Sequence, residues 1–387
     1  MNKKVGIITS YLDFDKNYGG ILQAYALSKQ IELLGYNAVI MPYIYEHIPL
    51  DKKGNYLIWR LLRKLKNAIL IRDNEIKKQR KMNEMMLLFV KENLPLYRTS
   101  RMTISDLEFV SKSFYAFICG SDQVWSTKLQ QDHCDPGMFL KFVPRGVKKI
   151  AYAPSTGSTI RLKADTASEF NMALSTFNAI SVRESAGQKL IKDMTNKDVP
   201  IVLDPTLLLP ADEWEKIVKI PEELPGKYIL VYRFGTLEST YEHIMDIQKE
   251  TGLQIIELPS SAISIKDSWN KRYNIDPEAF IGIIKNATLV CTDSFHATVF
   301  SILNRTPFIT FYRQEPSIEG NMNCRIDDLL QMTGLTDRLV KPNDKIILED
   351  LFTIDFKSAL EKIDQRRTES LNYLKQALRE DNNESIG

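Results

Sequence analysis

Cysteine and histidine are scarce in this chain, which has four of each among its 387 residues. The cysteines are far apart in the sequence and form no C-x-x-C pair: Cys119, Cys134, Cys291 and Cys324. Disulfide frameworks and structural zinc sites depend on characteristic cysteine spacings, which are missing here. We therefore expect free thiols in a reducing compartment and no structural zinc. We also expect no bound metal of another kind and no cofactor.

Long hydrophobic runs are also missing. No apolar segment approaches the ~18 residues of a membrane-spanning helix. The first residues, Met-Asn-Lys-Lys, precede an apolar stretch too short for a secretory signal. A formal net charge of +2 gives no support for nucleic-acid binding as the main role. We expect a cytoplasmic protein without a nucleic-acid partner.

Strand-like and helix-like segments alternate in both halves of the sequence. The first half predicts a strand, a helix and a strand at 5–8, 21–34 and 38–41. The second half repeats this order at 228–232, 238–250 and 254–257. Further strands are predicted at 114–119, 150–153, 179–182, 200–203, 288–292 and 308–312. This alternation favours an α/β protein with two Rossmann-like, doubly wound domains, although no G-x-G-x-x-G dinucleotide motif is present.

The length also favours two domains. We place the N-terminal Rossmann-like domain at 1–206 and the C-terminal one at 207–355, because prolines interrupt a charged stretch between 207 and 225. A last helix from about 356 to 379 has no strand after it. The segment 356–387 is therefore expected to be a helix and tail.

A basic, helical insertion interrupts the first domain at about 51–92. It contains twelve Lys and Arg against five Asp and Glu, a charge of +7, so the rest of the chain carries −5. Within it, Ile58, Leu61, Leu62 and Leu65 form one apolar stripe, beside Arg60, Arg63, Lys64 and Lys66. Two interpretations stay open: the stripe packs on the first domain, or the helix makes peripheral contact with an anionic membrane at its inner face.

Residues 288–303 carry the strongest local signal. A β-branched, apolar run ends at Thr292, Asp293 and Ser294, which are residue types that cap helices. A short helix ending near Asn304 should follow, so His296 would lie in its first turn, just beyond the carboxyl end of a strand. Open α/β sheets bind ligands at such positions, where helix N-termini attract anions.

Five motifs in a fixed order make a family recognisable: Asn17-Tyr18-Gly19-Gly20, Gly120-Ser121-Asp122-Gln123, Ser181-Val182-Arg183-Glu184, Asp204-Pro205-Thr206 and Asp293-Ser294-Phe295-His296. Together they resemble the polysaccharide pyruvyl transferases over roughly residues 5–335. The resemblance implies a GT-B-like arrangement of the two domains, with the last helix crossing back onto the first. It also implies phosphoenolpyruvate (PEP) as the donor, held by Arg183 and His296. Some branches of the family carry an arginine where this chain has Ser294, so one anion contact is missing or supplied from elsewhere.

Each candidate residue has a functional and a structural interpretation. His296 is a proton carrier, a phosphate ligand, or a core histidine that caps its helix. Arg183 offers a planar fork for carboxylate and phosphate, or forms a surface pair with Glu184. Asp122 is a base for an acceptor hydroxyl, or caps a turn.

The other candidate residues are expected to bind the substrate or to shape the acceptor cleft rather than to take part in the reaction. Asp293 and Ser294 either contact substrate or act as plain N-caps. Asn17, Gly19 and Gly20 are expected to shape the acceptor cleft.

The resemblance implies a transferase of exopolysaccharide biosynthesis that moves the pyruvyl group of PEP onto two hydroxyls of a glycan or lipid-linked sugar, forming a ketal. The alternatives are a nucleotide-sugar glycosyltransferase of GT-B type and a non-catalytic glycan-assembly protein with the same fold. The sequence does not specify the acceptor sugar, the hydroxyl pair, the stereochemistry of the ketal or the oligomeric state.

Overall fold

A computed structural model describes residues 2–11, 17–43, 74–127, 132–260, 269–318, 320–342, 344–346 and 350–379. Within these ranges the strands are β1 (Lys4–Ile8), β2 (Asn37–Ile40), β3 (Ala116–Cys119), β4 (Lys148–Ala151), β5 (Ala179–Ile180), β6 (Tyr228–Tyr232), β7 (Gln254–Glu257), β8 (Asn270–Lys271), β9 (Leu289–Thr292), β10 (Phe308–Phe311) and β11 (Leu339–Val340).

The helices in the same ranges are α1 (Tyr18–Leu33), α2 (Asn74–Asn93), α3 (Ile104–Ser111), α4 (Ala164–Leu174), α5 (Ser185–Thr195), α6 (Pro205–Leu208), α7 (Ala211–Glu215), α8 (Glu238–Thr251), α9 (Pro277–Lys285), α10 (Phe295–Leu303), α11 (Cys324–Thr333) and α12 (Phe356–Leu378). A short 3-10 helix, Thr336–Arg338, precedes β11.

Two parallel sheets form the framework of the molecule. The first has the order β2-β1-β3-β4-β5 and the second the order β11-β10-β9-β6-β7-β8. Their central strands are apolar and buried on both faces, as parallel sheets covered by helices require. The order of strands reverses between β1 and β3 in the first sheet and between β6 and β9 in the second. The expected α/β class with two Rossmann-like units is confirmed.

Most predicted elements lie within two residues of the observed ones, but three differences are informative. The helix expected at 21–34 begins at Tyr18, because the side chain of Asn17 accepts the amide of Gly20 at 2.7 Å and caps it. The strand expected at 200–203 is wrong: this segment contributes only an isolated bridge between Ile201 and Val182. The two-residue strands β8 and β11 were not predicted.

One apolar cluster connects the two sheets. Buried residues of both, such as Ile7 and Leu230, belong to the same contiguous core. Tyr18 makes the most direct connection, because its ring stacks on Phe280 of the second half at 4.3 Å and its hydroxyl donates to the Ile275 carbonyl at 2.9 Å. The two halves therefore share a hydrophobic interface.

The last helix, α12, lies against elements of the first half. The hydroxyls of Tyr36 and Tyr115 donate to the Leu378 carbonyl at 2.9 and 2.8 Å. The Leu203 amide donates to Ser370 at 3.0 Å, and Tyr373 donates to the Ala151 carbonyl at 2.9 Å. The division of the chain into domains at residue 206 stays a prediction.

Most of the basic insertion lies outside the described residues, including its predicted apolar stripe and the four cations beside it. The part that is described, α2, packs Met82, Met86, Phe89 and Val90 into the core. None of the helices in the described ranges combines the length and the hydrophobicity that crossing a bilayer requires.

Candidate functional site

The candidate residues lie at the carboxyl ends of the two sheets, at and beside both points where the strand order reverses. Asp122 follows β3, Arg183 follows β5 and His296 follows β9. Open α/β sheets bind ligands at such switch points. Here the residues of the first and second halves meet, because Arg183 and His296 both approach Asp204.

Arg183 is the buried cation of the site. Its side chain is only 2% exposed, so the expected alternative of a surface pair with Glu184 is wrong. The pair exists at 3.2 Å, but Nη1 also contacts Asp204 at 2.9 Å and Nη2 lies 3.8 Å from Asp122. Burial opposes its charge, but the three carboxylates outweigh burial and raise the pKa of Arg183. The guanidinium also lies over the ring of Phe295, 4.9 Å from its centroid.

Asp204 connects the other groups. One carboxylate oxygen accepts from Ser121 and Arg183, each at 2.9 Å. The other accepts from the amide and hydroxyl of Thr206 and lies 3.6 Å from Nε2 of His296. Burial alone would raise the pKa of Asp204, but His296, Arg183 and the hydrogen bonds hold it well below its usual range. Asp204 is therefore ionised at neutral pH.

His296 lies in the first turn of α10, as the sequence predicts, and is 7% exposed. Its Nε2 is buried and has no hydrogen-bond partner among the described residues, and the same holds for Nη2 of Arg183. Buried polar atoms without partners are costly, and in a native protein they often mark where a ligand or water completes the network.

Two helix N-termini converge on this point. Ser294 is the N-cap of α10 and accepts the Ala297 amide at 3.4 Å, so its hydroxyl has a capping role. Asn17 caps α1. Gly19, in the first turn of α1, lies against the imidazole of His296, and Gly20 borders the carboxylate of Asp122. The start of α1 therefore lies between the two proposed catalytic side chains.

Asp293 does not face the site with a free carboxylate. Its oxygens accept the amides of Phe234 and Gly235 at 2.5 to 3.0 Å, and Arg313 lies 3.7 Å away. This carboxylate anchors the loop after β6 to the start of α10. It positions the site rather than offering an unoccupied ligand group.

Asp122 has a left-handed backbone, with φ of 67°. Aspartate tolerates this conformation better than most residues, and the Ser155 amide fixes it by donating to the Asp122 carbonyl at 2.8 Å. The strained turn aims the side chain toward Arg183. Backbone strain of this kind is concentrated at functional sites.

A cavity of about 310 Å³ adjoins the site on the side of Arg183. Its lining includes Asp204, Phe295, Arg325 and Asp328, but neither His296 nor Asp122. The cavity therefore reaches the buried cluster through Arg183 and Asp204, and His296 and Asp122 lie outside its lining.

Sequence reasoning missed two residues of this site. Asp204 was named only as part of the Asp-Pro-Thr motif of the recognisable series and not as a candidate residue of the site. Arg325 carries no local signal, because it lies at the start of a helix that is distant in sequence from every motif. Only the packing of α11 brings it to the cavity.

Comparisons with known proteins agree with the observed fold. The profile of one family, polysaccharide pyruvyl transferase, matches residues 17–315. No curated protein sequence matches the chain.

Solved structures show the fold. AviGT4, a glycosyltransferase involved in avilamycin A biosynthesis, is similar with a TM-score of 0.50 and 10% identity, covering 97% of each chain. MnaA from S. aureus, solved with UDP, has a TM-score of 0.50 and 12% identity over 95% of this chain and 90% of its own. The expected GT-B-like arrangement is confirmed.

Proposed function

Because this chain belongs to the polysaccharide pyruvyl transferase family, we propose that it transfers the pyruvyl group of PEP onto two hydroxyls of a sugar in a cell-surface glycan precursor. One observation carries the proposal. Arg183 and His296, contributed by opposite sheets, meet at the ionised Asp204, and each keeps a buried nitrogen without a partner.

The reaction needs an anion site beside a proton-transfer site. The oxygen of one acceptor hydroxyl adds to C2 of PEP and gives up its proton to a base, while a proton added at C3 converts the methylene into a methyl group. Phosphate then leaves C2 with its bonding electrons, and the second hydroxyl oxygen takes its place and loses its proton. The products are a cyclic ketal and inorganic phosphate.

His296 is proposed to carry protons in this sequence. Its Nε2 makes no hydrogen bond to the described residues and lies 3.6 Å from the ionised Asp204, whose charge would stabilise positive charge that develops on the ring during transfer. Asp122 is proposed as the base for an acceptor hydroxyl, since its carboxylate accepts no hydrogen bond from the described residues and only approaches Arg183. Arg183 would neutralise the phosphate or carboxylate of PEP.

The remaining candidates support these groups. Asn17 and Ser294 hold the two helix N-termini toward the donor, where the helix dipoles favour an anion. Gly19 and Gly20 allow α1 to approach His296 and Asp122, and thereby shape the acceptor cleft. Asp293 fixes the loop after β6.

The acceptor is proposed to be a glycan or lipid-linked sugar at the cytoplasmic face of a membrane. The excess of cations between 51 and 92 supports contact with anionic lipid. Co-sedimentation with anionic vesicles tests this part. Binding should weaken with salt and fail when Arg60, Arg63, Lys64 and Lys66 become glutamine, whereas salt-independent or absent binding contradicts it.

Ligand-dependent unfolding tests the donor. Purified protein is heated with PEP, a UDP-sugar or a CMP-sugar, and bound ligand stabilises by about 2.7 kcal/mol at a hundredfold excess over Kd. We expect stabilisation by PEP, and release of inorganic phosphate from PEP when lipid-linked glycan is added. Stabilisation by a nucleotide sugar alone would instead identify a glycosyltransferase.

A further inference from the structure

Arg325 is a buried cation that forms no ion pair with a carboxylate of the described residues. It is 8% exposed, and its Nε donates to the Met322 carbonyl at 3.2 Å. Within the described ranges, no carboxylate forms an ion pair with its guanidinium, and no other hydrogen bond satisfies it. A largely buried charge without an ion-pair partner is unfavourable, and an anion in the adjoining cavity would offset that cost.

Two neighbouring arginines add to the cost of burying the charge of Arg325. Burial, together with the positive charges of Arg313 and Arg183, lowers the pKa of Arg325 to about 10, although the carboxylates of Glu184 and Asp122 act in the opposite direction. The guanidinium therefore stays protonated at neutral pH and repels its two neighbours. Those neighbours have partners of their own, because Arg313 approaches Asp293 and Arg183 contacts three carboxylates.

The carboxylates that line the same cavity are already engaged. Glu184 accepts from Arg183 and from the Thr156 amide. Asp328 accepts the amide and hydroxyl of Ser185 at 2.6 and 2.9 Å. The third, Asp204, is held by Arg183, Ser121 and Thr206. The described residues thus provide Arg325 with no ion-pair partner of its own, and its guanidinium lines the cavity, where an anionic ligand can approach it.

We propose that Arg325 binds an acidic group of the substrate, phosphate or carboxylate, in the cavity beside Arg183. A guanidinium presents two parallel donors that match either group. The cavity of about 310 Å³ opens onto both arginines and includes the ring of Phe295. That the anion belongs to PEP rests on the proposed function. The role of Arg325 in binding an anion does not.

Three variants test this assignment by calorimetry and thermal unfolding. Arg325→Gln removes the charge, and Arg325→Met replaces it with an apolar side chain of similar length. Arg366→Gln is the matched control, because Arg366 lines the same cavity but donates to the Ile201 carbonyl at 2.7 Å. The probes are inorganic phosphate, pyruvate and PEP.

Wild type and Arg366→Gln should bind phosphate and PEP, and Arg325→Gln should bind them roughly 10²-fold more weakly. Arg325→Met should raise the melting temperature of the empty protein, because it removes an unpaired buried charge. A purely structural arginine would give the opposite result, a lower melting temperature with unchanged affinity for anions, and this would overturn the inference. Weaker binding of phosphate but not pyruvate assigns Arg325 to the phosphate group, and the reverse assigns it to the carboxylate.

The two proposals fail separately. If Arg325→Gln binds and turns over PEP like the wild type, the inference is wrong and the function stands. If phosphate binding depends on Arg325 but PEP yields no product with any glycan acceptor, the anion site stands and the pyruvyl transfer is wrong.

Discussion

Gly19 and His296 lie so close that a Cβ on Gly19 would be placed 1.9 Å from Nδ1 and 2.4 Å from Cγ of the imidazole. No side chain fits in this space. The glycine of the first half therefore determines where the histidine of the second half can lie, and the contact makes the site depend on the relative placement of the two sheets.

We expect Gly19→Ala to reduce PEP turnover by at least ~10²-fold, because the added methyl displaces the imidazole from Asp204. Release of inorganic phosphate measures the effect. Gly226→Ala is the control, since a Cβ there meets nothing within 4 Å. Wild-type turnover by a folded Gly19→Ala variant would show that the position of His296 is unimportant.

His296→Asn should lower turnover by ~10²–10⁴-fold while the melting temperature changes little. The imidazole makes no hydrogen bond through Nε2 to a described residue, so the substitution leaves no hydrogen-bond partner unsatisfied. It removes only the 3.6 Å approach of Nε2 to Asp204. Circular dichroism and thermal unfolding monitor the fold. Residual activity within threefold of the wild type would exclude His296 from proton transfer.

Arg183→Ala should both abolish turnover and destabilise the protein by about 3–5 kcal/mol, because it leaves several buried carboxylates without their cation. Urea unfolding gives the free energy difference. The exposed pair of Lys189 and Asp193 provides the comparison, and Lys189→Ala should change stability by less than ~1 kcal/mol. Equal losses of stability in Arg183→Ala and Lys189→Ala would contradict the interpretation that Arg183 is the cation of a buried ionic cluster.

Asp204→Asn should have an effect on stability that depends on pH. The pKa of Asp204 is lower in the folded protein than its ordinary value of about 3.9, so its ionised form stabilises the fold above that value. This contribution is lost as pH falls below about 4 toward the folded pKa. The difference in unfolding free energy between wild type and variant should therefore be constant from pH 5 to 7 and shrink below pH 4. If this difference in unfolding free energy instead grew below pH 4, the interpretation that the ionised form of Asp204 stabilises the fold would be wrong.

The two halves should unfold in one transition, because one apolar cluster spans them. Tyr18→Ala should cost about 3–5 kcal/mol and separate the calorimetric transition into two, since it removes the ring that packs on Phe280. Tyr18→Phe keeps the ring and should keep one transition. Two transitions in the wild type would show that the interface is weak.

Local chemistry explains which parts could be predicted from the sequence. The strand and helix around His296 are determined by a β-branched run, a serine cap and a proline beyond the helix, all within twenty residues. The central strands are continuous apolar runs. These features need no knowledge of distant residues.

The remainder depends on contacts between distant segments. Asp204 becomes the centre of the site only because Arg183, Ser121 and His296 reach it from three segments that are distant in the sequence. The segment 200–203 is apolar enough for a strand, yet it pairs through a single bridge and donates instead to Ser370 of α12. The sequence did not single out Arg325 for the same reason, because only the packing of α11 brings it to the cavity.

The position of α12 has a consequence for synthesis of the protein on the ribosome. Tyr36 is made 342 residues before Leu378, whose carbonyl it needs as a hydrogen-bond partner. Until that helix emerges, the first half lacks the partners of Tyr36, Tyr115 and the Leu203 amide, and exposes the apolar surface that α12 covers. The first half therefore cannot complete this part of its packing before α12 has been translated.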